Sequence, residues 1–242
     1  RMRGSYPVVT EAHRSRTDYV SSYALAEMLS EAMTGDEIVV TGNGIAYTST
    51  FQAIQLKPKQ RMFANVGCAS MGFDLPAAIG AAFAGGGREV VCMAGDGSIQ
   101  MNIQEFQTLV NYQLPVKLFM LNNEGYLSIK QTQGAFFAGH YVGSHPGSGV
   151  ILPDMQKIAA AYGIPACRVA NHAELAKVLP KILKTAGPVF CEVMCDPFEV
   201  VGPKSASKKL ADGRMVSSPL EDLFPFLGRD EFRANMIVPP VE

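Results

Sequence analysis

The stretch at residues 90–98 places an acidic residue where the backbone suits an anion. Residues 90–93 are apolar and predict a buried strand, and Ala94-Gly95-Asp96-Gly97-Ser98 follows, leading into a helix expected to begin near Asn102. A glycine-flanked turn before a helix lets backbone amides approach a negatively charged group. Because Asp96 would repel a bare phosphate, the pattern predicts a cation between the carboxylate and the phosphate.

A second oxygen ligand follows the next apolar run. Residues 116–121 predict another strand, and Asn122-Asn123-Glu124-Gly125-Tyr126-Leu127 comes directly after it. The carboxyl ends of neighbouring parallel strands lie about 4.8 Å apart, so Asp96 and Asn123 can meet. Mg²⁺ prefers an octahedral shell of oxygens. The pattern predicts as its ligands Asp96, the Asn123 side-chain oxygen and the Gly125 carbonyl, with diphosphate oxygens and a water completing the shell.

The elements that must position these residues alternate along the chain. Apolar runs predict strands over residues 37–41, 89–93, 116–121 and 189–194. Helices are predicted over residues 18–33, with Thr17 as N-cap, and over 74–84, 102–112, 153–162 and 173–185. Continuous apolar strands separated by helices indicate an α/β protein, a three-layer sandwich with a mostly parallel central sheet.

Composition narrows the class of protein. Of the 242 residues, 48% are hydrophobic and 18% are charged, which is typical of a well-buried globular protein. The net charge is −1 and the basic residues are scattered, so we expect no nucleic-acid partner. The apolar runs are too short to span a membrane. The five cysteines include no C-x-x-C pair, and we interpret them as reduced core thiols of a cytoplasmic protein.

The chain is expected to fall into three parts. Residues 1–16 are interpreted as a linker from a preceding domain, residues 17–200 as the domain that carries the proposed ion and phosphate site, and residues 201–242 as a tail that docks on that domain or on a partner. Outside the proposed turns, Lys117 and Lys130 are expected to be strand-end and surface charges.

Three segments together resemble the thiamine-diphosphate-dependent enzymes, and among them acetolactate synthase (acetohydroxyacid synthase). The first is G-D-G-S followed, after the next apolar strand, by N-N. The second, NVGCASMGFDLPAA at residues 65–78, is similar to the segment that holds the two rings of the cofactor. The third is T-G-N-G at residues 41–44, between a strand and a helix, which is similar to the first diphosphate-contacting loop of the family.

The resemblance implies that the chain is the C-terminal, diphosphate-binding domain of such an enzyme. By that resemblance Met71 wedges beneath the cofactor, and the Ala69 carbonyl accepts a hydrogen bond from its 4′-amino group. Ile45 and Ala46 depart from the Gln and His usual in branched-chain amino-acid synthases. The implied cofactor-binding residues are Gly42, Asn43, Gly44, Ala69, Ser70, Met71, Gly95, Asp96, Gly97, Ser98, Asn123, Gly125, Tyr126 and Leu127.

The implied activity is Mg²⁺-dependent carboligation or decarboxylation of 2-oxo acids such as pyruvate. The activating glutamate is expected on a pyrimidine-binding domain, in the same polypeptide or in a partner subunit, so no catalytic side chain is assigned to this chain. A homodimer or tetramer is expected by analogy, and FAD is possible elsewhere in the full enzyme. Thr132 stands where anabolic synthases carry a Trp, which indicates a different acceptor, such as an aldehyde or a keto-sugar.

Two other functions are compatible with the same residues. A simple 2-oxo-acid decarboxylase shares every motif above, because the two reactions diverge only after CO₂ is lost. A non-catalytic module would keep the cofactor site, although intact Asp96, Asn123 and Met71 argue against such decay. A dinucleotide-binding Rossmann domain is disfavoured because no G-x-G-x-x-G follows a strand.

Overall fold

A parallel sheet organises the larger part of the chain. The computed structural model describes residues 2–209 and 212–239, and the chain divides into two compact units, Arg1–Glu199 and Val200–Glu242. The first unit contains a six-stranded sheet in which every pairing is parallel. Its strands are β1 (Ile38–Thr41), β2 (Arg61–Ala64), β3 (Val90–Gly95), β4 (Val116–Asn122), β5 (Ala166–Val169) and β6 (Val189–Met194), in the order β2-β1-β3-β4-β6-β5.

Helices accompany the strands along the chain. They are α1 (Met2–Ser5), α2 (Glu11–Arg14), α3 (Ser22–Ala32), α4 (Gly44–Ala53), α5 (Asp74–Ala84), α6 (Asp96–Ile99), α7 (Phe106–Asn111), α8 (Leu127–Phe136), α9 (Met155–Ala161), α10 (His172–Lys184) and α11 (Arg229–Asn235). Two 3₁₀ turns span Gln100–Glu105 and Pro146–Ser148. The short helices α1 and α2 lie within the range interpreted as a linker.

The core of the first unit lies between the sheet and its helices. On one face α5, α7 and α9 bury a cluster that includes Val40, Cys92, Leu118 and Phe190. Strand residues alternate between the two faces, so their neighbours, such as Phe119, point the opposite way, toward the side of α3, α4 and α10. Each fully buried large apolar side chain contributes roughly 1.5–3 kcal/mol to folding.

The chain leaves β1 and β3 in opposite directions. β1 leads through α4 to β2 on one side, whereas β3 leads through α6 and α7 to β4 on the other. Neighbouring strands with diverging connections form a topological switch point, where open α/β sheets bind their ligands. The loops after β1 and β3 therefore border a crevice at the carboxyl edge of the sheet.

The predicted α/β fold with a parallel sheet is confirmed, and the structure adds two edge strands. The predicted strand at residues 189–194 is β6 with the same bounds, and the prediction at 116–121 is one residue shorter than β4. The sequence pattern does not reveal β2 and β5 because edge strands need no continuous apolar run. Every residue of β2 is exposed or half-buried, and Val169 is the one fully buried residue of β5.

Helix α5 has the predicted bounds, but the predicted start of the preceding long helix is wrong. Helix α3 begins at Ser22, with Ser21 rather than Thr17 as its N-cap. The carboxylate of Glu199 explains this start, because it accepts hydrogen bonds from the Ser22 amide at 3.1 Å and from the Ser21 hydroxyl at 2.7 Å. A residue distant in sequence therefore sets the helix N-terminus.

The predicted start of the helix at residues 102–112 is also wrong, although α7 lies within that range. The chain becomes helical directly at Asp96, passes through the 3₁₀ turn Gln100–Glu105 and continues as α7. Asn102 has non-helical backbone angles, with φ −142°. Its side-chain amide donates to the Gly72 carbonyl at 2.6 Å, and this contact accompanies the break in the helix.

The second unit is small. Strand β7 (Ser207–Lys209) pairs antiparallel with β8 (Met215–Ser217), and Lys204 and Phe224 exchange backbone hydrogen bonds of 2.9 and 2.8 Å. The Arg229 guanidinium forms an ion pair with Asp222 at 2.8 Å. Docking of this tail on the domain or on a partner stays a prediction. Within residues 2–209 and 212–239, no helix combines the length and apolar character needed to cross a bilayer.

Candidate functional site

A cleft of about 290 Å³ opens at the carboxyl edge of the sheet, beside the switch point. Ile45, Ser128 and Ile129 are lining residues that the sequence does not predict. Three predicted site residues, Gly42, Ala69 and Ser70, are described by the structure but lie outside this lining. The predicted residues that line the cleft are Asn43, Gly44, Met71, Gly95, Asp96, Gly97, Ser98, Asn123, Gly125, Tyr126 and Leu127.

Asp96 is buried at the base of this cleft and is held by backbone amides. Its Oδ2 accepts hydrogen bonds from the amides of Gly125 at 2.9 Å and Asn123 at 3.2 Å, and its Oδ1 accepts from Gly97 at 2.7 Å. The ends of β3 and β4 therefore meet as the sequence predicts. Burial raises the pKa of Asp96 to about 6, although these amide hydrogen bonds and the charge of Lys130 oppose the rise.

The side-chain oxygen of Asn123 provides the test of whether a cation fits. Asn123 is 3% exposed, and its Oδ1 is one of four buried side-chain polar atoms in the described residues that have no hydrogen-bond partner. A buried acceptor without a partner costs roughly 1–3 kcal/mol. A hard cation between Asn123 and Asp96 would give this oxygen its partner, so the residues fit Mg²⁺.

The donor set also limits how such a cation could be held. In the part of the chain that the structure describes, no group of three or more His, Cys, Asp or Glu side chains is arranged to bind a metal. The shell would therefore combine the Asp96 carboxylate with an amide and a carbonyl oxygen, and water and a phosphate-bearing ligand would complete it, as they usually do for Mg²⁺. The Gly125 carbonyl stays a predicted ligand.

The turn after β4 has a backbone that glycine alone adopts easily. Gly125 has φ +114°, and a Cβ there would lie 2.5 Å from the Ser144 carbonyl oxygen. That oxygen also accepts a hydrogen bond of 2.9 Å from the Tyr126 amide. Glu124 has a left-handed φ of +57°, a strained conformation for a side-chain-bearing residue. Such strain concentrates at functional sites.

Lys130 supports the same turn from the protein interior, and its prediction as a surface charge is wrong. It is 1% exposed, and its ammonium donates to the Asn123 carbonyl at 2.7 Å and lies 5.1 Å from the centre of the Phe198 ring. The sequence pattern misses α8, which carries Lys130. Recognition of that helix would have revealed the burial, because Lys130 shares a face with the buried Leu127 at i, i+3 spacing.

Asp74 is a second buried residue that the sequence reasoning misses. Its Oδ2 accepts a 2.6 Å hydrogen bond from the Ser98 hydroxyl, whose oxygen accepts from the Gly72 amide at 2.9 Å. A Cβ on Gly42 would lie 2.5 Å from the same Asp74 oxygen. Burial raises the pKa of Asp74, and the Ser98 hydrogen bond opposes the rise. Asp74 thus links the loops after β1 and β3 with the segment before α5.

Comparison with known proteins finds a family whose model matches most of this chain. Residues 42–193 match the family described as thiamine pyrophosphate enzyme, C-terminal TPP binding domain, a range that includes every predicted site residue. The chain is 35% identical over 187 residues to acetolactate synthase isozyme 1 large subunit of Escherichia coli (strain K12), covering 77% of this chain and 33% of that protein. It is 36% identical over 177 residues to acetolactate synthase 2, chloroplastic, of Brassica napus, covering 72% and 28%.

These relatives are longer than the chain, and a solved structure shares its fold. The chain spans about a third of the length of the curated relatives it matches. The Rhodococcus jostii RHA1 thiamine diphosphate-dependent 4-hydroxybenzoylformate decarboxylase aligns with a TM-score of 0.66 and 23% identity, over 76% of this chain and 34% of that one. At this identity the likeness supports the fold alone.

Proposed function

The chain belongs to the thiamine pyrophosphate enzyme family, and we propose that it binds the diphosphate of thiamine diphosphate through Mg²⁺. The observation that carries this proposal is the unpartnered Asn123 oxygen beside the buried Asp96 carboxylate, where β3 and β4 end. One carboxylate, one amide oxygen and one turn carbonyl leave coordination positions for phosphate oxygens, which is how proteins usually bind Mg²⁺.

The loops around the ion would contact different parts of the bound cofactor. Asp96, Asn123 and the Gly125 carbonyl would hold the cation. The backbone of Asn43 and Gly44, and of the G-D-G-S turn, would contact the diphosphate, because glycine-flanked turns let amides approach it closely. By the family resemblance Met71, Ala69 and Ser70 would contact the rings. Asp74 and Lys130 would position these loops without contacting the cofactor.

When bound, thiamine diphosphate supplies the carbon chemistry that allows a 2-oxo acid to lose CO₂. The contribution of this chain would be to bind and orient the cofactor at the edge of the sheet. We assign no proton transfer to its side chains, because the activating glutamate is proposed to lie on a pyrimidine-binding domain. Activity then depends on that domain, from the same polypeptide or from a partner subunit in a homodimer or tetramer.

The proposed reaction is acetolactate synthase-like carboligation of a 2-oxo acid such as pyruvate. Support comes from the named relatives, which are acetolactate synthases at about 35% identity. Thr132, which is exposed on α8, supports an acceptor other than 2-oxobutyrate, such as an aldehyde or a keto-sugar. Simple decarboxylation is the second candidate, because the residues described above serve both reactions equally.

Calorimetry tests the cofactor site. Thiamine diphosphate would be titrated into the chain with and without Mg²⁺, and binding should require the ion. In Asp96→Ala the Mg²⁺-dependent affinity should fall by more than about 100-fold, because even a lost outer-shell partner costs 10–100-fold. Asp36→Ala is the matched control, because Asp36 is an exposed aspartate that pairs with Arg88. Unchanged binding by Asp96→Ala, with a native circular dichroism spectrum, would remove the metal assignment.

Product analysis tests the reaction. The chain together with a pyrimidine-binding domain would receive pyruvate alone and then pyruvate with an added aldehyde. A new carbon–carbon bond in the product supports carboligation, whereas acetaldehyde as the product in both cases supports decarboxylation. The chain without that domain should show no turnover, and measurable turnover would contradict the proposed dependence.

A further inference from the structure

The edge of the sheet farthest from the switch point brings two cysteines together. Cys167 in β5 and Cys191 in β6 are partners in the parallel register, so their side chains point to the same face. The strand spacing of about 4.8 Å lies within the Cα separation of about 4.4–6.8 Å that disulfides span. The backbone thus already holds this pair at the span of a disulfide.

The two thiols differ in exposure and acidity. Cys167 is partly exposed, whereas Cys191 is fully buried. The adjacent Cys191 thiol stabilises the Cys167 thiolate and the charge of Lys181 adds to this effect, so the pKa of Cys167 is lowered although burial opposes it. The proximity of Cys167, together with burial, raises the pKa of Cys191. Because the thiolate is the nucleophile, Cys167 is the one placed to react first.

We propose that Cys167 and Cys191 form a redox-active pair that closes to a reversible disulfide between β5 and β6. The oxidant is a small-molecule disulfide of the glutathione class. The Cys167 thiolate attacks one of its sulfurs, the small-molecule S–S bond breaks, and one thiolate leaves. Cys191 then attacks the Cys167 sulfur and displaces the second small thiolate, which takes up the Cys191 proton and leaves as a thiol. Two protein thiols are oxidised, and one disulfide is reduced to two thiols.

The other cysteines provide internal controls. Cys68 is exposed on the loop before α5, so its prediction as a core thiol is wrong, and its reaction shows what exposure alone produces. Cys92 and Cys195 are buried, so modification of either one would show that the oxidant reaches the protein interior. A site specified by geometry must give the link between Cys167 and Cys191 in preference to any bond made by Cys68.

The test is oxidation of the native chain followed by mapping of its thiols. The reduced chain would be incubated with oxidised glutathione, its remaining thiols blocked with N-ethylmaleimide in denaturant, and its non-reduced peptides analysed by mass spectrometry. We expect a peptide pair linked through Cys167 and Cys191, two hydrogens lighter than the sum of its parts and separated by dithiothreitol. The same link should form in Cys68→Ser. Recovery of Cys167 as free thiol or as a stable glutathione adduct in the wild-type chain would overturn the proposal.

Two variants test the order of attack. In Cys191→Ser, Cys167 should accumulate as the glutathione mixed disulfide, because its resolving partner is missing. In Cys167→Ser, Cys191 should remain a free thiol. Modification of Cys191 in Cys167→Ser at the rate of Cys68 would contradict the assigned roles. The wild-type map decides the main proposal even when a variant does not fold, and it needs no bound cofactor.

Discussion

A buried lysine donates hydrogen bonds near each end of β4, and the surroundings of the two lysines differ. At the start of the strand, Lys117 is fully buried, and its ammonium donates to the carbonyls of Thr185 and Gly187 and lies 3.4 Å from a Glu89 carboxylate oxygen. Beyond the other end, Lys130 donates to the backbone of Asn123, while the side-chain oxygen of that same Asn123 has no partner. The buried lysine at the start of β4 therefore has its polar partners, whereas beyond the other end the Asn123 side-chain oxygen is a buried acceptor without a donor.

The difference separates residues whose polar contacts are complete from residues that we propose bind a ligand. At the amino edge of the sheet Glu37 is also buried and accepts several hydrogen bonds. At the carboxyl edge stand the buried Asp96 with a raised pKa, the left-handed Glu124 and the open oxygen of Asn123. The buried charges at the amino edge all have hydrogen-bond or ion-pair partners, whereas the strained backbone and the unpartnered oxygen at the carboxyl edge fit a site that a bound cation would complete.

The largest effect that tests this contrast is expected for Lys117→Ala. Removal of the buried side chain leaves two carbonyls without their donor and a cavity where its aliphatic stem packed, and we expect a loss of about 3–5 kcal/mol in the free energy of unfolding. Urea denaturation would measure it. Lys157→Ala is the matched control because the Lys157 side chain is 86% exposed, and it should change stability by less than about 0.5 kcal/mol. Similar losses in the two variants would refute a structural role for Lys117.

The next effect is a dependence on pH through Glu37. Burial alone would raise the pKa of Glu37, but hydrogen bonds from the backbone amides of Thr34 and Gly35 and from the Gln60 side chain outweigh burial and lower it to about 2. Because the folded pKa lies below the ordinary value of 4.5, this contribution to stability is complete above about pH 5 and is lost as the pH falls toward 2. Its size is up to about 3 kcal/mol.

Unfolding free energies across this pH range would measure the contribution. Glu37→Gln should be less stable than the wild-type chain at pH 7, and the difference should shrink as the pH approaches 2. Glu11→Gln is the control, because the Glu11 side chain is 82% exposed, and its curve should parallel that of the wild type. A difference between Glu37→Gln and the wild type that stays constant with pH would show that the hydrogen bonds of Glu37 do not depend on its charge.

Much of the fold and the central contact of the site can be predicted from the sequence. Interior strands such as β4 and β6 are buried on both faces, so they appear as unbroken apolar runs. Once the sheet is known to be parallel, the ends of adjacent strands must meet, which brings Asp96 to the turn that contains Asn123. The metal role of both residues stays a prediction.

The residues that the sequence does not reveal depend on partners far along the chain. Lys117 is buried because residues 185 and 187 supply its acceptors, and Asp74 is buried because Ser98 and Gly72 close around it. No local pattern encodes those contacts. A lysine beside an apolar run is usually solvated. Burial of these charges follows from the three-dimensional arrangement of the loops.

Two adjacent asparagines at the end of β4 show the same contrast between a side chain with polar partners and one whose oxygen has none. The Asn122 amide donates to a Glu192 carboxylate oxygen at 2.7 Å, and its side-chain oxygen accepts from the Glu124 amide at 3.1 Å. Because Asn122→Leu removes both contacts and leaves the buried Glu192 without one donor, we expect a loss of about 2 kcal/mol in the free energy of unfolding. Folded protein should still bind thiamine diphosphate with Mg²⁺. An unchanged urea midpoint would show that the side-chain contacts of Asn122 do not stabilise the fold.

The smallest expected change in stability is at Asn123. Asn123→Leu replaces an unpartnered buried oxygen with an apolar group of similar size, which should leave the free energy of unfolding unchanged or raise it by up to about 1 kcal/mol. Mg²⁺-dependent binding of thiamine diphosphate should nevertheless be lost, because the leucine offers the ion no ligand. Urea denaturation and calorimetry on the two leucine variants decide the matter. If Asn123→Leu destabilises the chain as much as Asn122→Leu does, the Asn123 side chain stabilises the turn itself, and its unpartnered oxygen is not evidence for a cation site.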